Sequence, residues 1–542
     1  MSTTSLNDLP WIPVTTLSGQ RRRVGLVELF TTAHELAYFD TTHPLELSAL
    51  HRLTAAMSAL IVREMGGRVP AGKFDAPAVV AVLQTHADAL DLHHPLTPAA
   101  QEWCEPTALK DPVSMDFFRF EVPGESSKQW RRRGSMQPRW LAKQDLGVVA
   151  LHLWVHWFHS VGGNSASLHD LRPQNGSIGT PVGNDQAFFW RGRTLADTFL
   201  ANTPQAWVEG VGLPAFLDRH ALTAGQAPDV HPLWGGTFTT NATRLEWDAT
   251  GNPVAYRFGA SKHLYPGQTH LPDKSAGAKG KEAWSQARKA LYTRLREADP
   301  HRIWYLPPGA PAKPTSRWAS VRLESDGPQL FTGMRPEWAP LTRLAKWYEE
   351  IGAEALTRRT GRHRFVRDAD LGDGTWTLQV YFAQTVNKAG STMWSRAHWM
   401  SQEPAPLDFD DEHALVILEL AGLARDITAV LAASMVGPDG PLARLGPASR
   451  ASVVNDIKVD FHRRAERAFA AAVNHAAAGE HFALGLPGAL QVAAAEALGA
   501  ATAPFCGGLT VPAVTKIRAV LPHRLHGVFM AHNLTEDRKE HS

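Results

Sequence analysis

Apolar positions recur every three or four residues from Leu45 to Met65 and again from Ala76 to Leu90, which predicts two amphipathic helices. Asp75-Ala-Pro77 gives the second a capping carboxylate and a first-turn proline. From Leu146 to Val161 the chain is apolar on nearly every side, the pattern of a helix buried in a core. Strand signals lie between and after these helices. Pro13 keeps Ile12 extended in Trp11-Ile-Pro-Val14. The segment Phe188 to Glu209 reads as a strand, Phe188-Phe-Trp-Arg-Gly192, followed by a short helix holding Leu195 and Phe199. Pro232 to Leu245 and Asn252 to Phe258 read as a hairpin turning at Asp248-Ala-Thr-Gly-Asn252. Thr375 to Phe382 and Ser391 to Trp399 read as a second hairpin, with Gln384 to Gly390 (QTVNKAG) as its tip.

The pattern changes at Glu403. Beyond it the chain is Ala/Leu-rich with helical periodicity, and helices are predicted over Asp410 to Met435, Ala448 to Ala478, Leu486 to Ala500 and Val511 to Ala531. Short Gly-containing breaks separate them, so antiparallel packing into a bundle is expected. The 542 residues exceed what one core supports. The predicted fold class is α+β: a large mixed α/β N-terminal domain over residues 1–403, then an all-α four-helix bundle over residues 404–542. Lys274 to Lys281 (Gly/Ala/Lys-rich) is expected to be mobile, Leu341 to Leu356 helical, and Pro307 to Pro314 a linker. Ser160 to Arg193 begins as a Gly/Asn/Ser/Asp-rich loop that cannot hold a helix. Loops of this length are either functional or plain surface connectors.

Charge narrows the partners. Formal net charge is only +2, so any grip on a polyanion must come from local patches. Four such patches occur. Arg21 to Arg23 is the first, and Gly124 to Gln144 carries Lys128, Arg131, Arg132, Arg133, Arg139 and Lys143. Trp284 to Arg296 carries Arg288, Lys289, Arg294 and Arg296, and Arg358 to Arg367 holds five arginines. A solvated loop is the plain alternative for the Gly124 to Gln144 run, and Trp284 to Arg296 reads as a basic helix. Two cysteines, Cys104 and Cys506, cannot build a Cys-rich metal site and fit a reducing, cytoplasmic setting. The N-terminal residues have no basic-then-apolar leader pattern, and no apolar run is long enough to span a membrane.

One pattern looks enzymatic. His152, His156 and His159 share a helix face at i, i+4 and i+7, a spacing that suits a metal-dependent hydrolase, with Asp170 as a further ligand. No HExxH pattern and no acid accompany them, and Trp154, Trp157 and Phe158 surround them, so a core role is the stronger reading. Phosphate-loop, dinucleotide, nucleophile-elbow and kinase motifs are all missing, and no cofactor is implied. Binding along a polyanion therefore ranks above catalysis. A purely scaffolding subunit is the third alternative.

Leu9-Pro-Trp-Ile-Pro-Val14 is followed by Gly25-Leu-Val-Glu-Leu-Phe30, then by Asn175-Gly-Ser-Ile-Gly-Thr-Pro-Val182 with Phe189-Trp-Arg-Gly192, and last by the closing helices. In this order the motifs resemble a known family, the CasA large subunit of the type I-E CRISPR surveillance complex, Cascade. The resemblance implies a non-catalytic antiviral role in the cytoplasm. Its partners would be the other Cascade subunits with crRNA, target double-stranded DNA and a separate helicase–nuclease. The N-terminal domain would recognise the protospacer-adjacent motif (PAM) from the minor-groove side. A hairpin wedge would help part the strands for R-loop formation, and the bundle would touch neighbouring subunits and the non-target strand. Base pairing would read sequence while the protein reads a short motif.

Matched by position, Gly162 and Gly163 correspond to the family's glycine loop, with Asn164 and Ser165 as polar neighbours. A backbone without Cβ can approach a minor groove only about 6 Å wide. Lys262 corresponds to the lysine that reaches the PAM, residues 128–143 to the long DNA-contacting loop, and Asn387-Lys388-Ala389 to the wedge. Family wedges carry glutamine where this chain has Ala389, which leaves Gln384 or Asn387 for that role, or shifts the register. Some relatives hold zinc through a cysteine cluster, and two cysteines cannot do so.

Replacing Arg131 and Arg132 together by Ala should weaken duplex binding across sequences and flatten its salt dependence, by about one unit of slope per lost phosphate contact. Titrations at several salt concentrations check this; an unchanged slope removes these arginines from the DNA backbone.

Overall fold

Proline and β-branched residues at the start of the chain favour extended backbone, and an antiparallel sheet forms there. β1 (Ile12–Thr16) lies between β2 (Arg21–Val24) and β3 (Leu36–Phe39). This computed structural model describes residues 4–41, 44–94, 112–115, 145–159, 186–218, 230–238, 241–260, 272–297, 302–303, 366–369, 377–388, 391–402, 411–443, 447–505 and 511–534, isolated positions excepted. The small sheet is followed by the long α1 (Pro44–Glu64), which matches the predicted Leu45 to Met65 helix and is buried at Leu50, Leu53, Met57 and Ile61. α2 (Ala76–Thr85) begins as predicted, with the Asp75 carboxylate accepting from the Ala78 N–H at 3.2 Å. It stops short of Leu90, because at His86 the backbone tightens into a 3₁₀ turn over Ala87–Leu90.

α3 (Leu146–His159) packs against α1, and residues 149–158 are all buried. β4 (Gln186–Arg191) leads into α4 (Leu195–Ala201), where Thr194 and Asp197 form a reciprocal capping box. α5 (Gln205–Val208) is pinned by Arg63 at the end of α1. The Arg63 guanidinium donates to the carbonyls of Trp207, Val208 and Gly212 at 2.7–3.1 Å, and burial lowers its pKa.

The predicted hairpin after Pro232 needs a correction. Pro232–Thr237 is a short helix, because proline suits the first turn and the His231 ring caps the Leu233 N–H. The strands are β5 (Asn241–Trp247) and β6 (Pro253–Ala260), joined by the expected turn in which Asp248 accepts from the N–H groups of Thr250 and Asn252. Lys274 to Lys281 is likewise not loop throughout. α6 (Gly277–Glu297) starts inside it, since alanine and lysine are good helix formers. The expected Pro307 to Pro314 linker and Leu341 to Leu356 helix lie outside the described residues.

A four-stranded sheet follows, built with β7 (Arg302–Ile303), β8 (Thr377–Lys388) and β9 (Ser391–Gln402) in the order β9-β8-β4-β7. Four helices then fall within a residue or two of the predicted bounds: α7 (Asp411–Val436), α8 (Pro447–Ala477), α9 (Leu486–Thr502) and α10 (Val511–Ala531). Their apolar faces, with Leu423, Ile427, Phe461, Leu490, Leu498, Leu521 and Leu525, form one core that also takes in Trp190 and Ala201. A separate core gathers α1 to α4 with the first sheet and includes Phe189.

A histidine clasps α7 to the end of α10. His532 Nδ1 lies 2.6 Å from Glu419 and Nε2 lies 3.0 Å from Asp426. Burial pulls the imidazole pKa down, but hydrogen bonds to both carboxylates outweigh it, so the net shift is upward from 6.5. His462 goes the other way, to about 4, because it is buried and lies near Lys458. A raised folded pKa means that the clasp contributes fully below pH 6.5 and is lost as pH rises through the folded value. The difference in melting midpoint between parent and His532→Gln should therefore be largest in acid and shrink in alkali. Taking the difference cancels the opposite contribution of His462, and a gap that is flat with pH would show that the clasp is not ionic.

Candidate nucleic-acid interface

The two segments matched to DNA contact, residues 128–143 and Gly162 to Ser165, flank α3 in sequence. The helix itself has a defined setting. At its first turn Asp145 pairs with Arg23 and accepts from the Gly147 N–H at 2.9 Å. Gly147 has no room for a side chain there, since a Cβ would sit 2.9 Å from the Pro10 carbonyl oxygen. At mid-helix His152 Nε2 meets Glu46 Oε1 of α1 at 3.0 Å, with the two side chains 1% and 7% exposed. The Thr41 hydroxyl donates to the other oxygen of Glu46. Near the C-terminal end the Trp157 indole donates to the Thr237 carbonyl at 3.1 Å. A cavity of about 170 Å³ lies beside the pair, lined by Trp11, Arg23, Asp40, Thr41, Glu46 and His152 among others.

These contacts revise the reading of the histidine face. An acid does accompany it, but from another helix, and it occupies His152 in a buried hydrogen bond. His156 is buried against the Tyr256 ring, with centroids 6.0 Å apart. Among the described residues no group of three or more His, Cys, Asp or Glu side chains could hold a metal ion. The His159 side chain and Asp170 lie outside them. The metal-hydrolase alternative gains no support.

The second candidate element is the β8–β9 hairpin, the segment matched to the wedge. Among the described residues β4 pairs with β8 from Thr377 to Phe382, whereas β9 pairs with β8 as far as Lys388↔Ser391. From Ala383 to Lys388, about 20 Å of strand, the described pairing of β8 is with β9. A register shift between Gln384 and Thr385 falls in this stretch. Such an irregularity bends a strand and strengthens its twist. Gln384, Asn387 and Lys388 all lie on this stretch of β8. The expected tip from Gln384 to Gly390 is corrected: turn-forming residues up to Lys388 are held in strand by cross-strand pairing, and the pairing leaves only residues 389–390 between the strands.

The other matched positions, Gly162, Gly163, Asn164, Ser165, Lys262, Lys128, Arg131, Arg132, Arg133, Arg139 and Lys143, lie outside the described residues, as does most of Arg358 to Arg367. The Arg21 to Arg23 run has acidic partners throughout: Arg21 with Asp40, Arg22 with Glu28 and Arg23 with Asp145. Phe189-Trp-Arg-Gly192 has structural contacts, with Phe189 stacked on His51 at 4.7 Å and Arg191 over the Tyr38 ring at 5.5 Å. Sequence reasoning placed α10 but passed over its charge. Between Val511 and Ala531 it has no acidic residue, and it exposes Lys516, Arg518, His523, Arg524 and His526. The missing acids were the available signal. Among the described residues no helix is long and apolar enough to cross a membrane.

Residues 6–356 match the family model of CRISPR-associated protein Cse1. The fold aligns with Thermobifida fusca Cse1 at a TM-score of 0.60 and 15% identity, covering 98% of each chain. It aligns with Thermus thermophilus CasA (Cse1) at 0.52 and 18% identity, over 98% of this chain and all of that one. A chain of a CRISPR RNA-guided surveillance complex aligns at 0.50 and 16% identity, over 97% and 100% of the two chains. At such identities the likeness speaks of fold. No curated sequence is a significant match.

Proposed function

The chain belongs to the CRISPR-associated Cse1 family, and we propose that it is the non-catalytic large subunit of a type I-E surveillance complex that finds and opens target DNA. The family match over residues 6–356 carries this reading, and the likeness to a surveillance-complex chain supports it. In this role residues 1–403 form the DNA-facing domain and residues 404–542 a four-helix bundle that meets neighbouring subunits. Gly162, Gly163, Asn164, Ser165 and Lys262 read the PAM. Lys128, Arg131, Arg132, Arg133, Arg139 and Lys143 follow the DNA backbone. Gln384, Asn387 and Lys388 supply the wedge, for which a long two-stranded hairpin paired as far as Lys388↔Ser391 is a suitable shape. The partners are the other subunits with crRNA, target duplex in the cytoplasm, and the helicase–nuclease that the complex recruits.

The direct test is to assemble the complex with this chain and measure target-duplex binding while the PAM bases are permuted. One permutation should bind best, by roughly 5- to 150-fold per changed base pair, the range seen for read positions. Equal binding to all permutations would reject PAM recognition.

The wedge has its own test. Lys388→Ala should reduce strand opening, read by permanganate reactivity of unpaired thymines, while leaving initial duplex binding close to the parent. Equal reactivity in mutant and parent would remove Lys388 from the opening step.

A further inference from the structure

Strand alternation decides which residues of the β5–β6 hairpin meet the core and which face away from it. Thr243, Leu245 and Tyr256 are buried on the inner face, where β5 packs against α3 and Tyr256 meets His156. The register then places Arg244, Glu246, Ala255 and Arg257 on the outer face. Arg244 stands directly opposite Arg257, and the next pair on that face is Ala242 with Gly259. Residues so placed have Cβ atoms about 5 Å apart, and like charges there cost stability. Glu246 relieves half of the conflict. Its carboxylate accepts from Arg257 Nε, with the two side chains 25% and 30% exposed. Among the described residues Arg244 has neither an acidic partner nor a hydrogen-bond acceptor, although it is half-buried. The hairpin thus carries a partly dehydrated cation beside a second one, at a cost to its own stability.

We propose that Arg244 and Arg257 form a phosphate clamp on the outer face of the β5–β6 hairpin, closing on the sugar–phosphate backbone of target duplex DNA. This deepens the DNA-binding role argued above and rests on it. Guanidinium groups on adjacent strands can converge on one anion. Each offers N–H donors in a planar fork, and a phosphodiester has two non-bridging oxygens to accept from them. A bound anion would also cancel the repulsion that the free hairpin bears. Partial burial strengthens the attraction, because less water screens it. The make-up of the face favours a duplex over a protein side chain. A partner's Asp or Glu binds with useful strength in a pocket whose walls exclude water. The hairpin's own neighbouring positions on this face, Ala242, Ala255 and Gly259, are too small to build such walls. Glu246 sets a limit on the grip, since it shares Arg257 with the anion and repels it.

The test uses the assembled complex carrying Arg244→Thr or, separately, Glu246→Gln, titrated with double-stranded DNA of unrelated sequence at several salt concentrations. Arg244→Thr should bind about tenfold more weakly at low salt. The slope of its log affinity against log salt should fall by about one unit, the share of one phosphate. Its melting midpoint should equal or exceed the parent's, since threonine suits a strand and the like-charge contact is gone. Glu246→Gln should bind about two- to fivefold more tightly, because a repulsive charge beside the phosphate is removed. An unchanged slope in Arg244→Thr, or a Glu246→Gln complex that binds no more tightly, would overturn the clamp. So would a lowered melting midpoint in Arg244→Thr, which would make the arginine a support of the sheet. Failure of that variant to assemble would assign the face to a neighbouring subunit and overturn the clamp as well. If the parent complex binds no duplex, the DNA role itself fails; a parent that binds, with an Arg244→Thr complex that binds equally well, removes the clamp alone.

Discussion

Phe189 and Trp190 are adjacent in one strand, and the strand pleat sends them to opposite sides into two different cores. The arrangement depends on this alternation. A slip of one residue in β4 would put each ring in the wrong core, so the register against Thr377 to Phe382 is fixed from both faces. Asn202 secures the same residue from a third direction. Its side-chain amide accepts from the Trp190 N–H at 2.8 Å and donates to the Trp190 carbonyl at 2.6 Å, as a neighbouring strand would. The boundary between the α/β part and the C-terminal helices is therefore not a bare linker, since a strand of the first contributes an indole to the second.

α3 meets a related requirement by other means. A strand is registered by alternation, but a helix apolar all round has no alternation to use. Its sequence carries sparse polar atoms instead, of which His152 and the Trp157 indole meet partners far away in the chain. Glu46 lies 106 residues before His152. A single buried hydrogen bond of this kind adds little net stability, whereas removing one partner leaves a costly unpaired group.

Sequence reading succeeded where one local signal dominated. The C-terminal helices are long, rich in alanine and leucine, and free of competing strand signals, so their bounds were legible almost to the residue. It failed where a distant partner decided the outcome. Asn387 and Lys388 are turn formers by preference, yet pairing with Ser391 and Thr392 keeps them in strand. The basic run at Arg21 to Arg23 suggested a polyanion, but its three acids come from elsewhere in the fold. The histidine face was visible, and its carboxylate was not, because helical spacing says nothing about a partner on another helix. Of the candidate site, the β8–β9 hairpin could be recognised, but not how far its strands pair toward the tip, which cross-strand partners decide.

The pairing of β4 with β8 also sets an order of events during synthesis. About 190 residues separate Arg191 from Thr377. At roughly 5–20 residues per second, the ribosome needs about 10–40 s to deliver the pairing strand. The first core is made mostly of residues from the N-terminal half and can close during that interval. Trp190 cannot be covered until the helices at the end of the chain emerge. Asn202, only 12 residues on, reaches the Trp190 backbone long before either. On the ribosome it holds in place a strand whose indole is still bare, which makes the nascent chain a candidate for chaperone shielding until its last helix is released.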